Sequence, residues 1–287
     1  PEAVLNVKAH MRIRTILLQR SSVKSLTFLG DMFDGVQCPC ILLQLIATGK
    51  PLSTAGMMIE DRTRTYTIAM ERTVVPENFS FRMTDEEYRV LEKIKNSIPV
   101  CYLADHADFA LGIVTGNNKK FLSAEKTENS EMVLKGTDIC KYHINPAKQY
   151  LRFEPEQFQQ VAPLEIYRAP EKLLYRFISN QLVVAYDDRQ MLSLNSCNIV
   201  IPKIEGMQIK YILAILNSSV SQFVYQKEFH SIKVLRAHME HIPIPRVGKA
   251  IQNEIIAMTE PLICGMGKEA AETCQKRLDC RIVDLFR

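Results

Sequence analysis

The sequence predicts a mixed α/β chain in two parts: an α/β region to about residue 75 and, past a linking helix at 76–97, an α+β region over 98–287. Three observations carry this expectation. Apolar residues recur near the helical period at Val7, Met11, Ile13, Leu17 and Leu18. Strand-like runs separated by turn residues follow, and the last eighty or so residues are mainly helical in pattern. A length of 287 residues with 47% hydrophobic composition is enough for one large core or two ordinary ones.

Taken in order, Val7–Gln19 sets its apolar residues among basic ones, which predicts a helix covering a sheet. Val23–Leu29 and Pro39–Ala47 read as strands, the second apolar on both faces, as a strand covered on both sides requires. Gly30-Asp31-Met32-Phe33-Asp34-Gly35-Val36 joins them. Ala55–Glu60 and Thr65–Met70 flank a turn at Asp61 and Arg62, the pattern of a hairpin. Thr84-Asp85-Glu86-Glu87 is a capping box: the Thr hydroxyl accepts from the Glu87 amide and the Glu87 carboxylate from the Thr84 amide. A helix is therefore expected over Asp85–Asn96. Short strands and polar loops follow to about Tyr150. Pro170–Ser179 is expected to be helical, Leu182–Tyr186 and Asn198–Ile201 extended, and helices are expected to start at Met207, Lys249 and Lys268. No internal repeat or low-complexity tract interrupts the chain.

Lys plus Arg total 36 against 32 Asp plus Glu, and the +4 balance permits an anionic partner without demanding one. The 8 cysteines are scattered, no cleavable signal opens the chain, and the longest apolar stretch, Ile41–Ala47, is interrupted by Gln44. Reduced thiols, a cytoplasmic location and no membrane partner are expected. The opening at Pro1, without Met, leads us to expect a piece of a longer protein.

The segment Phe109-Ala110-Leu111-Gly112-Ile113-Val114-Thr115-Gly116-Asn117-Asn118-Lys119-Lys120-Phe121 carries the most chemistry. It reads as a buried strand ending in Thr-Gly, then a loop with two amides and two ammonium groups, closed by an aromatic anchor. Such a loop can approach a phosphate backbone, and its Asn and Lys side chains can reach base edges. A solvated turn satisfies the same features. A Walker phosphate loop is excluded, because no Gly-Lys-Ser or Gly-Lys-Thr follows at the required spacing.

Several motifs occur in a fixed order: Gly112-Ile113-Val114-Thr115-Gly116-Asn117, Leu134-Lys135-Gly136-Thr137-Asp138-Ile139, Tyr167-Arg168-Ala169-Pro170, Ile215-Leu216-Asn217-Ser218 and Ile242-Pro243-Ile244-Pro245. Together they resemble the specificity domain at the carboxyl end of TaqI-like adenine-specific DNA methyltransferases of restriction-modification systems. Pro1-Glu2-Ala3-Val4-Leu5, Ile13-Arg14-Thr15-Ile16-Leu17-Leu18 and Phe33-Asp34-Gly35-Val36-Gln37-Cys38-Pro39 look like the segment that follows the catalytic strand in that family. The resemblance implies that 1–75 is a truncated doubly wound remnant, the C-terminal part of a methyltransferase domain, and 98–287 a mixed α+β target recognition domain gripping double-stranded DNA. It makes Thr115, Asn117, Asn118, Lys119, Lys120, Lys135, Arg168 and Lys172 the DNA-facing candidates, with the two asparagines as base readers and the lysines as phosphate contacts. For the parent enzyme it implies S-adenosylmethionine, a methyltransferase domain upstream and restriction-modification subunits as partners.

The family also carries a Gly-rich cofactor loop and an Asn-Pro-Pro-aromatic tetrad that holds a flipped adenine. Neither is present: Asn145-Pro146 continues with Ala147, and Gly265-Met266-Gly267 follows no strand, so both read as turns. No cofactor and no catalytic residue is therefore expected in this chain. A protein-interaction or scaffolding module of a restriction-modification complex is the alternative reading.

Other constellations have structural readings. His238 and His241 could share a helical face as metal ligands, but no third ligand is evident. Cys38-Pro39-Cys40 fits packing along a strand, and Cys264, Cys274 and Cys280 fit buried or idle thiols. Arg168, Lys172 and Arg176 around an expected helix start suit a salt-bridged surface as well as DNA. Lys227, His230, Lys233 and Arg236 read as a solvated cationic stretch, and Asp187-Asp188 lacks the partner of a nuclease site.

Overall fold

In the computed structural model, which describes residues 1–287 apart from 6, 37, 77, 78, 80 and 230, the chain divides into two units, Pro1–Glu92 and Lys93–Arg287. Gln37 and His230 of the motifs above lie outside the described residues. The first unit is built on a four-stranded sheet. Its centre is β1 (Ser21–Asp31), flanked by β2 (Pro39–Ala47) antiparallel and β3 (Met57–Glu60) parallel; β4 (Thr65–Ile68) pairs antiparallel with β3 and closes the expected hairpin. A register shift between Val23 and Ser25 lets both Val23 and Leu26 face the core with Phe28, Met57, Ile59 and Ile68.

Helix α1 (Met11–Arg20) starts later than its periodicity predicts, because Lys8–His10 forms a 3-10 turn and His10 gives no side-chain cap. Leu17 and Leu18 pack on the sheet core, whereas Val7 and Ile13, expected on the covering face, are exposed. Arg14 is buried instead: its guanidinium donates to the Val4 and Val7 carbonyls, both at 2.8 Å, and so binds the N-terminal turns to the helix. Strand β2 corrects a second expectation. It is an edge strand with Leu42 60% exposed, not a strand covered on both faces. The capping box forms as expected, with Thr84 N–H on Glu87 at 2.9 Å and Glu87 N–H on the Thr84 hydroxyl at 3.3 Å, and α2 (Asp85–Asn96) follows it.

The second unit packs two four-stranded sheets and a helical layer. β5 (Val100–Cys101) is followed by β6 (Ala107–Ala110), the one-turn helix α3 (Asn118–Phe121), β7 (Leu122–Ser123), β8 (Ser130–Leu134), β9 (Tyr150–Arg152) and the one-turn helix α4 (Leu164–Tyr167). Next come β10 (Lys172–Arg176), β11 (Val184–Asp187), β12 (Leu192–Ser193) and β13 (Cys197–Pro202). The sheets run β11-β10-β13-β6 and β12-β8-β9-β7. Segment 170–179, expected to be a helix, is the strand β10, buried between β11 and β13. Glu171, Lys172 and Arg176 give it a helix-like charge spacing, but Lys172 has a carboxylate partner in the adjacent strand and enters the core with it.

The helices are α5 (Ile209–Asn217), α6 (Ser219–Glu228), α7 (Arg236–Glu240), α8 (Lys249–Cys264) and α9 (Lys268–Asp284), with β14 (Ile244–Pro245) pairing to β5. The Ile215-Leu216-Asn217-Ser218 motif has a structural explanation. The Asn217 carboxamide donates to the Val184 carbonyl at 2.8 Å and accepts from its N–H at 3.1 Å, pairing the open edge of β11 as a neighbouring strand would. Ser218 then caps α6 by accepting from Ser221 N–H. Gly265, at φ +79°, ends α8, and Gly267 starts α9, so Gly-Met-Gly is a helix-to-helix turn. Among the described residues, no helix is long and apolar enough to cross a membrane.

Candidate nucleic-acid interface

The glycines of the first two motifs are packing residues. A Cβ on Gly112 would lie 2.1 Å from the Leu194 carbonyl oxygen, and one on Gly136 would lie 2.4 Å from that of Ser196. Both backbones therefore pass directly against the turn between β12 and β13, and this contact aims the loops that follow. After Gly112 the chain forms bridges from Ile113 to Leu194 and from Val114 to Gln160, then turns at Gly116. The expected continuous strand to Thr-Gly is thus a short strand ending at Ala110, followed by single bridges.

Thr115, expected to face DNA, is buried instead and donates its hydroxyl to Asn118 Oδ1 at 2.6 Å, so it braces the loop from within. Asn117 caps α3 by accepting from Lys120 N–H at 3.3 Å. Phe121 anchors the loop edge-on against Phe158, with ring centroids 5.4 Å apart. The Asn117, Asn118, Lys119 and Lys120 side chains are exposed at the surface.

Register places this turn at one end of the sheet β12-β8-β9-β7. Leu122 pairs with Leu151, which pairs with Glu131, so Lys119 and Lys120 project beyond that rung, where Ser130 pairs with Arg152. Lys120, Arg152, Ser130 and Gln157 line a single cleft of about 310 Å³. Leu192 pairs in parallel with Val133, so the turn preceding β12 emerges at the same end. Arg168 ties the turn there: its guanidinium donates to the Gln190 carbonyl at 2.6 Å and to the Glu131 carboxylate at 2.5 Å. Lys135 follows β8 at the opposite end of that strand from Ser130, half-buried, with its backbone N–H on Asp138 at 2.8 Å.

Lys172 does not join this surface. It is fully buried, 2.5 Å from the Asp187 carboxylate, and donates to the Tyr167 carbonyl at 2.6 Å. Burial pushes its pKa down, against the pull of Asp187. Its expected place among DNA-facing cations is corrected: a side chain with no solvent exposure cannot reach a phosphate. The same pair accounts for Asp187, which the sequence offered to a nuclease site. Arg176 is likewise turned inward, donating to the Ile139 carbonyl.

Nothing local marks Arg152, a single cation between Leu151 and Phe153, or Gln157 as part of this surface. Only the β7–β9 register brings them beside Lys120. The histidines have structural partners: His238 Nδ1 accepts from Leu235 N–H at 3.2 Å while its ring stacks on Phe229, and His241 Nδ1 lies 2.7 Å from the Ala237 carbonyl. Among the described residues no group of three His, Cys, Asp or Glu side chains could hold a metal ion. Arg236 pairs with Glu240 and covers the Phe109 ring. Of the cysteines expected to be buried or idle, Cys264 and Cys280 are exposed and Cys274 is partly buried.

Residues 131–244 match the family model of the TaqI-like C-terminal specificity domain. No protein of curated function matches the chain in sequence. Among solved structures, the type IIL restriction-modification enzyme MmeI in complex with DNA is similar at a TM-score of 0.60 and 10% identity, over 99% of this chain and 46% of that one. The type IIG restriction endonuclease BpuSI is matched at 0.41 and 9%, over 100% and 46%, and the HsdS subunit from Thermoanaerobacter tengcongensis at 0.37 and 14%, over 71% and 51%. The MmeI likeness concerns the fold, and this chain spans about half the length of that structure.

Proposed function

From a chain that carries a TaqI-like C-terminal specificity domain at residues 131–244, we propose that it is the sequence-specific DNA recognition part of an adenine-N6 methyltransferase of a restriction-modification system. The observation that carries this reading is the sheet end where Lys120 and Arg152, the latter paired with Glu154 at 2.8 Å, line one cleft below the exposed Lys119, inside or next to the matched region. Lys119, Lys120 and Lys135 neutralise phosphates, and Asn117 and Asn118 offer their amide donors, since their oxygens cap the loop. Arg168 acts mainly by bracing. MmeI, a restriction-modification enzyme solved with DNA, shares the fold and supports the reading.

Residues 1–75 then belong to the end of the methyltransferase domain, and the protein works in the cytoplasm beside a catalytic region that binds S-adenosylmethionine. In keeping with that reading, Gly265 and Gly267 serve helix termini, and Asn145 sets its N–H on the Asp138 carbonyl and its amide on Cys140 Sγ. The chain grips and reads the duplex, and methyl transfer is assigned to the neighbouring region.

The test is the salt dependence of binding to duplex DNA. Lys119→Ala, Lys120→Ala and Lys135→Ala should each weaken binding to every sequence alike and lower the salt slope by about one unit per lost phosphate contact. Unchanged affinity and slope in all three would move the chain to the scaffolding reading.

A further inference from the structure

Arg189 and Gln190 are exposed at the tip of the turn between β11 and β12, and among the described residues neither side chain has a hydrogen-bonding partner. Beneath them the backbone is held unusually firmly. The Asp187 carboxylate accepts from the N–H groups of both Arg189 and Met191, each at 3.0 Å, and is itself fixed by the buried Lys172. Gln190 takes a φ of +57°, rare for a residue with a Cβ, and Arg168 holds its carbonyl at 2.6 Å. The turn cannot relax without giving up these hydrogen bonds to a carboxylate that a buried ion pair holds in place.

Its position follows from the register. The pairing of Leu192 with Val133, and Arg168 bridging Gln190 to Glu131, set the turn across the same sheet end as Arg152 and the Lys119–Lys120 loop. The charge pattern differs from that loop in a telling way. Asp188 is exposed on the same turn, and a carboxylate at the tip repels phosphates. Base edges are the complementary target, because they offer both donors and acceptors.

We propose that the turn Asp188-Arg189-Gln190 reads bases in the major groove of duplex DNA, with Arg189 on the O6 and N7 acceptors of a guanine and Gln190 on the N6 and N7 of an adenine. This rests on the DNA-recognition reading above. The fixed backbone holds two side chains suited to bidentate recognition at the spacing of one dipeptide, next to lysines that supply the sequence-independent grip. Lys172, Asp187 and Arg168 are positioning residues.

Selection of bound duplexes from a randomised pool tests the proposal on the whole chain, with variants Arg189→Ala, Gln190→Ala and Lys119→Ala and thermal melting as a check on folding. Arg189→Ala should erase a guanine preference at one position, and Gln190→Ala an adenine preference at a neighbouring one. Each should cost about ten- to hundredfold in affinity for the wild-type consensus and leave the other positions intact. Lys119→Ala should keep the whole consensus while binding more weakly. If both turn variants select the wild-type consensus, the proposal is overturned and the DNA-recognition reading stands. If the wild-type chain enriches no sequence at all, both fall.

Discussion

Lys172 and Asp187 occupy neighbouring strands with neither side chain reaching solvent. Removing one partner from such a pair leaves an uncompensated buried charge, whereas replacing both with apolar groups of similar size removes the problem. Lys172→Met is therefore expected to lower unfolding free energy by about 3–5 kcal/mol, and Lys172→Met with Asp187→Leu to recover the greater part of it, as measured by urea denaturation. The double variant also frees the Arg189 and Met191 amides. It should melt near the wild type and yet lose selectivity at the positions the turn reads; retained selectivity would show that the pair only stabilises the fold. This residue marks the limit of what sequence conveys. A lysine in a charged run looks solvated, and nothing local reveals an aspartate fifteen positions on as its partner. Gly112 and Gly136 were legible as motif members but their role was not, because the atoms nearest a Cβ there belong to the distant turn after β12.

Among the elements, those whose cause is local were legible. Thr84 and Glu87 define their own helix start, the 57–60 and 65–68 strands share a short turn, and the starts of α8 and α9 follow glycines. Those whose cause is tertiary were not. Strand β10 was hidden by its charges, and β2 was apolar enough to suggest two covered faces that it lacks here. The sheet end at Lys120 and Arg152 was half legible: the loop could be read, but its cationic neighbour needed the strand register. The junction of α6 and α7 yields a pH prediction. Burial, aided by the nearby His241, holds the His238 pKa down at about 4 against an ordinary 6.5, although a hydrogen bond from the ring to the Lys233 backbone pulls upward. The native state thus favours the neutral ring. The unfolded chain takes up the proton first as pH falls, so stability is complete above pH 6.5 and is lost towards pH 4. The loss should approach about 2–3 kcal/mol, seen as a falling denaturation midpoint, and His238→Gln should flatten it. An identical acid slope in that variant would place the proton uptake elsewhere.

At the scale of the whole molecule the first unit presents an unfinished surface. The edge strand β2 carries no charged residue from Pro39 to Ala47, and Leu42, Leu45 and Ile46 are 60%, 40% and 46% exposed. The connection from β1 adds Met32, Phe33 and Val36, each more than half exposed. Stable edges are usually blunted by charge, proline within the strand or a covering element, and an apolar edge with open N–H and C=O groups recruits another strand. The reading of 1–75 as the end of a methyltransferase domain explains why such an edge exists, since further strands or helices would cover it. The chain studied alone should then self-associate as concentration rises in sedimentation velocity. Leu42→Lys combined with Ile46→Lys should return it to monomer by placing charge on that edge. Because both positions lie in Pro1–Glu92, whereas the Lys119 loop and the Arg189 turn lie in Lys93–Arg287, the substitutions should leave the selected DNA consensus unchanged. A wild-type chain that stays monomeric at every concentration would mean that the exposed edge is tolerated as it stands, and the case for a missing neighbour would lose its structural support.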